Sequence, residues 1–467
     1  IQLDISKYLS LKKIPLLYSD HHLSHTLCTL FYYNDFPCVS VVVDGYGDKY
    51  CTSIHHIKSK NEIINIWNSE YPNSLGLFYS AITDFLGFAV NEGEYKMMGL
   101  AAFGKPSFYE NLKKTIKFQD DQLIVDTKYY DYVRRVDRSY SDTLVELLGI
   151  APRQPDIPLE IGEKDFQIYA DIACSAQKVL EELLFLIFKY AHKITKESKF
   201  LFSGGVAMNS SAVSKTSNLK FIKELNIPPS PGDSGAAIGA AYYGFLQENK
   251  KNSNNLVANN GIMNNLFPGQ SKSNEDFFEL VFDKIADSQA SLVKVSELIS
   301  ENEIIATCYG NIETGPRALG HRSLICNAHN TQLIKKLSTE IKKRNLFRPT
   351  APVILREHAE NYFHLEKSLM NCYLHMASIA TPKKEFSSNI KGVIHADNSS
   401  RVQICDENQL LGKILMNLKK YNIYLIANTS FNISSDPMVY DKEDAFLATE
   451  RMNIKYLLTE TGLFVKK

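Results

Sequence analysis

Apolar and polar positions alternate along the chain with two different periods. Residues 38–44 (CVSVVVD) form an unbroken β-branched run, which predicts a strand buried on both faces. A short apolar run at 200–202 predicts another. Across 166–194, Ile168, Ile172, Val179, Leu180, Leu183 and Leu184 recur at helical spacing and predict one long helix. Further on, 303–308 and 423–427 read as strands, and 331–343 and 441–452 as helices. Between these groups, 247–265 (QENKKNSNNLVANNGIMNN) loses the apolar periodicity and runs up to Pro268-Gly269, which predicts an exposed connection. Strands alternating with helices on both sides predict α/β architecture in both halves. The expected division is 1–250 as one domain, 251–275 as linker and 276–467 as a second domain.

Length agrees with that division, because 467 residues exceed one compact core of roughly 100–200 residues. Charge narrows the partners: 52 Lys+Arg against 52 Asp+Glu give no bulk attraction to nucleic acid or to an anionic membrane, so neither is expected. The eight cysteines contain no CxxC pair, which argues against a zinc knuckle and for reduced thiols in a cytoplasm. No apolar run approaches the roughly 18 residues of a spanning helix, and the first residues do not read as an export signal. The first residue is Ile and not Met, so a processed chain or a piece of a longer one is expected.

Three kinds of segment carry candidate chemistry. In Asp20-His21-His22-Leu23-Ser24-His25, a helix capped by Ser19 or Asp20 would place His21 and His25 at i and i+4 on one face, as a chelating pair. Asp44 ends the predicted 38–44 strand, and Asp233 lies in Pro231-Gly232-Asp233-Ser234-Gly235, a turn that opens a helix. Two imidazoles with two carboxylates suit Fe(II), Mn(II) or Zn(II) with open positions for substrate. The glycine turns Asp44-Gly45-Tyr46-Gly47-Asp48, Ser203-Gly204-Gly205 and Gly232-Asp233-Ser234-Gly235 are candidate phosphate cradles between two α/β lobes. Asp-Ser-Gly also occurs around serine-protease nucleophiles, but Ser234 leads into an alanine-rich helical run in an α/β context. In the second half, Gly315 to Ser323 (GPRALGHRS) and Lys342 to Pro349 (KKRNLFRP) are dense in cations interleaved with Gly, Pro and Phe. Arg317, Arg322, Arg344 and Arg348 with Lys342 are therefore candidates to hold a multiply anionic ligand. Asn428 to Asn432 (NTSFN) follows the predicted 423–427 strand and offers amides and hydroxyls to such a ligand.

In order, HHLSH, VVVDGYGD, LGLFYSAITDFLG, GEYKMMGLAAFGKP, LFSGGVAMN, PPSPGDSGAAIGAA, ETGPRALGHRS, KKRNLFRPTAP, RVQ and NTSFN resemble the O-carbamoyltransferases of nodulation-factor, cephamycin and tobramycin biosynthesis. The resemblance runs from about His21 to Asp441. It implies a metal-binding, two-lobed actin/Hsp70-like (ribonuclease H-like) nucleotide domain followed by a YrdC-like α/β domain. It further implies that ATP and carbamoyl phosphate yield carbamoyl adenylate in the second domain, and that the carbamoyl group then passes to a small-molecule hydroxyl acceptor at the first. Carried onto this chain, the metal ligands are His21, His25, Asp44 and Asp233, with Fe(II) as the ion and Mg2+ accompanying the nucleotide. Gly204, Gly205 and Asn209 would line the nucleotide of the first domain. Arg317, Lys342, Arg348, Arg401, Asn428 and Ser430 would form the adenylate pocket, beside Arg322 and Arg344. His22 is a candidate general base, the alternative being a helix residue that faces the core. A homodimer is among the expected partners. The family carries a longer segment before its HHxxH motif than the twenty residues that precede His21, so strands of the first lobe are expected to be missing.

Two relatives of this chemistry fit less well. A tRNA threonylcarbamoyladenosine-type enzyme shares both domain types but needs a basic RNA track, which the charge balance does not advertise. A hydrogenase-maturation carbamoyltransferase would carry CxxC zinc fingers, which the chain lacks. A non-catalytic actin/Hsp70-like ATP-binding module would leave the HxxxH pair and the Arg cluster without a use.

Overall fold

The computed structural model describes residues 16–155, 157–252, 266–267, 269, 282–433 and 436–467. Its first helix, α1 (His21–Tyr32), begins where the sequence pattern places it: Asp20 is the cap, and its Oδ1 accepts the Leu23 N–H at 2.9 Å. The β-branched run becomes β1 (Cys38–Gly47), buried through Asp44 and opening at Gly45. β2 (Tyr50–Ser59) and β3 (Glu62–Glu70) continue it as an antiparallel meander. Then come α2 (Leu75–Phe85), α3 (Glu94–Ala101), a hairpin of β4 (Ile116–Gln119) with β5 (Gln122–Val125), and the long α4 (Phe166–Thr195). After α4, β6 (Lys199–Ser203) and β7 (Glu224–Asn226) add in parallel to β1, separated by α5 (Ser210–Thr216). The result is a five-stranded sheet in the order β3-β2-β1-β6-β7.

α6 (Asp233–Asn252) closes this half by packing on α1. Its small residues have a steric reason. A Cβ on Gly239 would lie 1.8 Å from the Ser24 carbonyl oxygen, so only glycine lets the two backbones approach this closely. The described residues of this half hold one five-stranded sheet and a hairpin, one lobe where the resemblance implies two. The helix carries the Asn-rich stretch as far as Asn252. Most of the expected 251–275 linker lies outside the described residues.

The second half is built on an eight-stranded mixed sheet. Its elements are β8 (Phe282–Asp287), α7 (Ser288–Ser300), β9 (Ile305–Cys308), β10 (Arg322–Asn327), α8 (Thr331–Lys336), β11 (Ala351–Leu355), α9 (Arg356–Tyr362), a two-residue pair β12 (Phe363–His364) and β13 (Thr381–Pro382), β14 (Gln403–Cys405), α10 (Leu410–Leu418), β15 (Leu425–Ser430), α11 (Lys442–Met452), β16 (Tyr456–Thr459) and β17 (Gly462–Lys466). The order is β14-β11-β15-β10-β9-β16-β17-β8. Leu411, Ile414 and Leu418 of α10 pack with Val295 and Ile299 of α7 over Ile325, Val353 and Ile426 of the sheet. The helix expected over 331–343 is regular only to Lys336, loosens into a wider turn over Leu337–Ile341, and ends as Lys343 takes a φ of +49°. That early exit delivers Lys342 and Arg344 beneath the end of β15.

The halves meet directly. Ser214 Oγ donates to the Ile379 carbonyl at 3.1 Å and accepts its N–H at 2.7 Å, and Asn371 Nδ2 donates to Asn226 Oδ1 at 3.0 Å. No helix among the described residues is long and apolar enough to cross a membrane.

Candidate metal centre and anion pocket

α1, β1 and α6 converge on one point. His21 and His25 project from the same face of α1, Asp44 comes from the end of the buried part of β1, and Asp233 opens α6. A Cβ on Gly47 would sit 2.0 Å from the His21 ring, so glycine there admits the imidazole. The facing atoms are closely spaced. His21 Nε2 lies 3.0 Å from Asp44 Oδ2 and 3.5 Å from Asp233 Oδ1; His25 Nε2 lies 3.3 Å and 3.4 Å from the same oxygens; the two Nε2 atoms are 3.1 Å apart. A cation with bonds of about 2.1 Å spaces its ligands by about 3.0 Å in an octahedron and about 3.4 Å in a tetrahedron. The four side chains therefore fit a divalent first-row ion, a borderline set of two nitrogens and two oxygens. Gly205 N–H donates to Asp44 Oδ1 at 2.9 Å and leaves Oδ2 toward the histidines.

Hydrogen bonds to Asp233 and then Asp44 lift His21 to about 10, and Asp233 falls to about 2 through its bonds to His21 and His25. A cation that binds at His21 Nε2 must displace the proton that Asp233 and Asp44 hold there. Metal uptake is thus expected to release protons, and affinity to fall as the pH is lowered, about tenfold per pH unit for each proton displaced. Calorimetry in buffers of different ionisation enthalpy measures this, and proton-neutral binding would contradict it.

Several expected roles are corrected by geometry. His22 is fully buried against β2, its Nδ1 2.8 Å from Ser53 Oγ, and burial pushes it down to about 3; it does not face the cavity and is not placed as a general base. Gly205 lines the cavity, and the Gly204-Gly205 turn also braces Asp44. Gly204 has a φ of +89°, a Cβ on it would lie 2.3 Å from the Val43 carbonyl oxygen, and the Gly205 N–H is spent on Asp44. Asn209 lines the cavity but caps α5 through Ala212 N–H and exchanges two hydrogen bonds with Gln177. Arg322 donates to the carbonyls of Tyr440, Tyr309, His321 and Gly310 and has no face toward the cavity, so its role is to hold the loop before β10.

A cavity of about 1940 Å³ runs from Asp44 and Asp233 to a cluster of cations in the second half, Arg317, Arg344, Arg348, Arg401 and Lys342. Arg317, Arg344, Arg401 and Lys342 form no ion pair with a carboxylate among the described residues. Burial, then the charge of Arg348, lowers Arg317 to about 10; burial lowers Arg344 to about 9; burial and the neighbouring guanidiniums hold Arg401 well below the arginine range. Such a set is stabilised by an anion. Lys342 is less free than the sequence suggests: its ammonium donates to Ser430 O, Ser430 Oγ, Asn432 O and Asn432 Oδ1, and organises that turn. Asn428 Nδ2 donates to Ala318 O and Gln403 Oε1, while its buried Oδ1 has no partner among the described residues and remains an acceptor at the wall. Sequence reasoning missed Glu313, whose Oε1 accepts the N–H groups of Leu319, His321 and Arg322 at 2.8, 2.8 and 3.0 Å and so folds the loop that carries Arg317. An acid directly before Thr-Gly-Pro was the available signal.

Comparison with known proteins agrees across both halves. The family description "Carbamoyltransferase N-terminus" matches residues 3–242, and "Carbamoyltransferase C-terminus" matches 296–466. "Uncharacterized protein sll1178" of Synechocystis sp. is 29% identical, with 97% of this chain and 76% of that protein covered. "Nodulation protein NolNO" of Sinorhizobium fredii is 26% identical over 92% of this chain and 61% of its own length, and "Nodulation protein NolO" of Bradyrhizobium diazoefficiens is 26% identical over 92% and 76%. The chain thus spans 61 to 76% of the length of these relatives. Full-length HypF in its phosphate- and nucleotide-bound form aligns at a TM-score of 0.27 and 20% identity, over 34% of this chain and 23% of that one. With one family description matched in each half, this chain belongs to the carbamoyltransferase family.

Proposed function

We propose that the protein is an ATP-dependent O-carbamoyltransferase that modifies a hydroxyl of a small molecule in the cytoplasm, in natural-product biosynthesis. The observation that carries this reading is the single cavity joining a cation cluster in one half to a carboxylate–imidazole cluster in the other. The second half, 276–467, is the activating domain, and 1–250, read as actin/Hsp70-like, is the transfer domain. Cleavage of carbamoyl phosphate by water leaves carbamate and inorganic phosphate. A carbamate oxygen then bonds to the α-phosphorus of ATP as pyrophosphate leaves. The acceptor oxygen finally bonds to the carbamoyl carbon as AMP leaves and the hydroxyl proton passes to a base.

Each end of the cavity suits its share. Arg317, Arg344, Arg348 and Arg401 neutralise phosphate oxygens where charge accumulates, in a partly desolvated wall that strengthens each contact. Asn428 Oδ1 accepts from a ligand amino group, and the Ser430–Asn432 turn is held in place by Lys342. At the other end His21, His25, Asp44 and Asp233 would hold the cation, Fe(II) in the family's pattern, and a bound cation supplies Lewis acidity toward a carbonyl. The test is carbamoyl-phosphate-dependent release of pyrophosphate from ATP by the full-length protein. Release that requires both substrates is expected; none, or release independent of carbamoyl phosphate, overturns the reading.

A further inference from the structure

α3 belongs to the first half, yet its N-terminal turn faces the cation-rich end of the cavity. The Tyr95 ring lies 4.7 Å from the Arg348 guanidinium carbon, in cation–π geometry. Gly99 faces the Phe347 carbonyl, where a Cβ would be 3.3 Å from the oxygen, and the Phe88 and Phe347 rings are 6.5 Å apart. The helix is thus packed on the turn that carries Arg348.

Lys96 lines the cavity beside these contacts, half-buried, and its placement is unfavourable in three ways. It sits in the first turn of α3, where the helix dipole opposes a cation. No carboxylate comes within ion-pair distance of its Nζ among the described residues, the Tyr95 ring 6.0 Å away is a weak cation–π partner, and the charges of Arg348 and Arg153 oppose it against that of Glu92. Burial, then Arg348, lowers its pKa below the usual lysine value. An anion in the cavity relieves all three.

We propose that Lys96 is a phosphate-binding residue that the first half contributes to the activating pocket of the second, completing the set Arg317, Arg344, Arg348 and Arg401. This rests on the carbamoyltransferase reading above and refines its division of labour: activation then requires both halves, because one of its cations lies on α3. The phosphate it takes is that of carbamoyl phosphate or that of the nucleotide, and the two sources are separable by experiment.

Lys96→Met and Lys96→Arg in the full-length protein test this. Pyrophosphate release is followed against carbamoyl phosphate and, separately, against ATP, and the melting temperature is followed against inorganic phosphate and AMP. Lys96→Met is expected to raise one of the two KM values about tenfold or more, to lose the corresponding ligand-induced rise in melting temperature, and to melt no lower than wild type without ligand. A rise confined to carbamoyl phosphate identifies that source; a rise confined to ATP identifies the nucleotide. Lys96→Arg should retain most of the affinity, since it keeps the charge. Both KM values within twofold of wild type, or a lower ligand-free melting temperature with unchanged ligand response, overturn the proposal. Wild-type protein without carbamoyl-phosphate-dependent release would instead overturn the underlying reading, while the phosphate and AMP melting shifts still judge Lys96.

Discussion

His25→Ala is expected to prevent binding of a divalent ion at the His21, His25, Asp44 and Asp233 cluster and to abolish the proposed carbamoyl transfer, while carbamoyl-phosphate-dependent pyrophosphate release continues. His25 Nε2 is fully buried within 3.4 Å of both carboxylates, so no water or neighbouring side chain takes its place without rearrangement of α1. Loss of an outer partner of a metal ligand costs roughly 10- to 100-fold in affinity, and loss of a ligand itself exceeds that. Without His25, Asp44 and Asp233 share only His21. The pyrophosphate reaction draws on the other end of the cavity, where the cations lie. Metal content by elemental analysis and the two activities measured separately decide the matter. Retained metal would remove His25 from the ligand set; pyrophosphate release lost together with transfer would show that the two ends do not work independently.

The clustering of His21, His25, Asp44 and Asp233 was legible because it follows from local periods. An HxxxH pair reports a helix face, a β-branched run ending in Asp reports a strand end, and Gly-Asp-Ser-Gly before alanines reports a helix start; the fold then needs only to bring three termini together. The partner of the Gly205 N–H was not legible, for the complementary reason. Spacing shows that Gly204-Gly205 makes a tight turn, but not which acceptor its N–H meets, and that acceptor, Asp44, is 161 residues away. The same holds for the arginines. Arg322 and Arg348 are equally cationic in sequence, yet one satisfies backbone carbonyls around β10 while the other reaches the cavity wall beneath Tyr95. Strand and helix positions were largely readable from pattern. The early end of the 331–343 helix was not, because the burial of Lys342 under Ser430 and Asn432, a tertiary contact, overrides the helical preference of a lysine-rich run.

Arg348→Ala is expected to raise the KM for carbamoyl phosphate or ATP in pyrophosphate release about ten- to a hundredfold, with metal content unchanged. A charge-assisted hydrogen bond contributes roughly 1.5 to 3 kcal/mol, against about 0.5 to 2 kcal/mol for a part-buried cation–π contact such as that with Tyr95. Lost anion binding should therefore outweigh lost packing. The substitution also removes a charge that opposes Lys96 and Arg317. Arg348→Lys restores a charge but neither the planar fork nor the stacking on Tyr95, so rescue is expected to be partial. Steady-state kinetics with each substrate varied in turn, alongside elemental analysis, measures the effect. Wild-type pyrophosphate release in Arg348→Ala, with only acceptor modification lost, would move this arginine to the acceptor site and the activating step away from the second half.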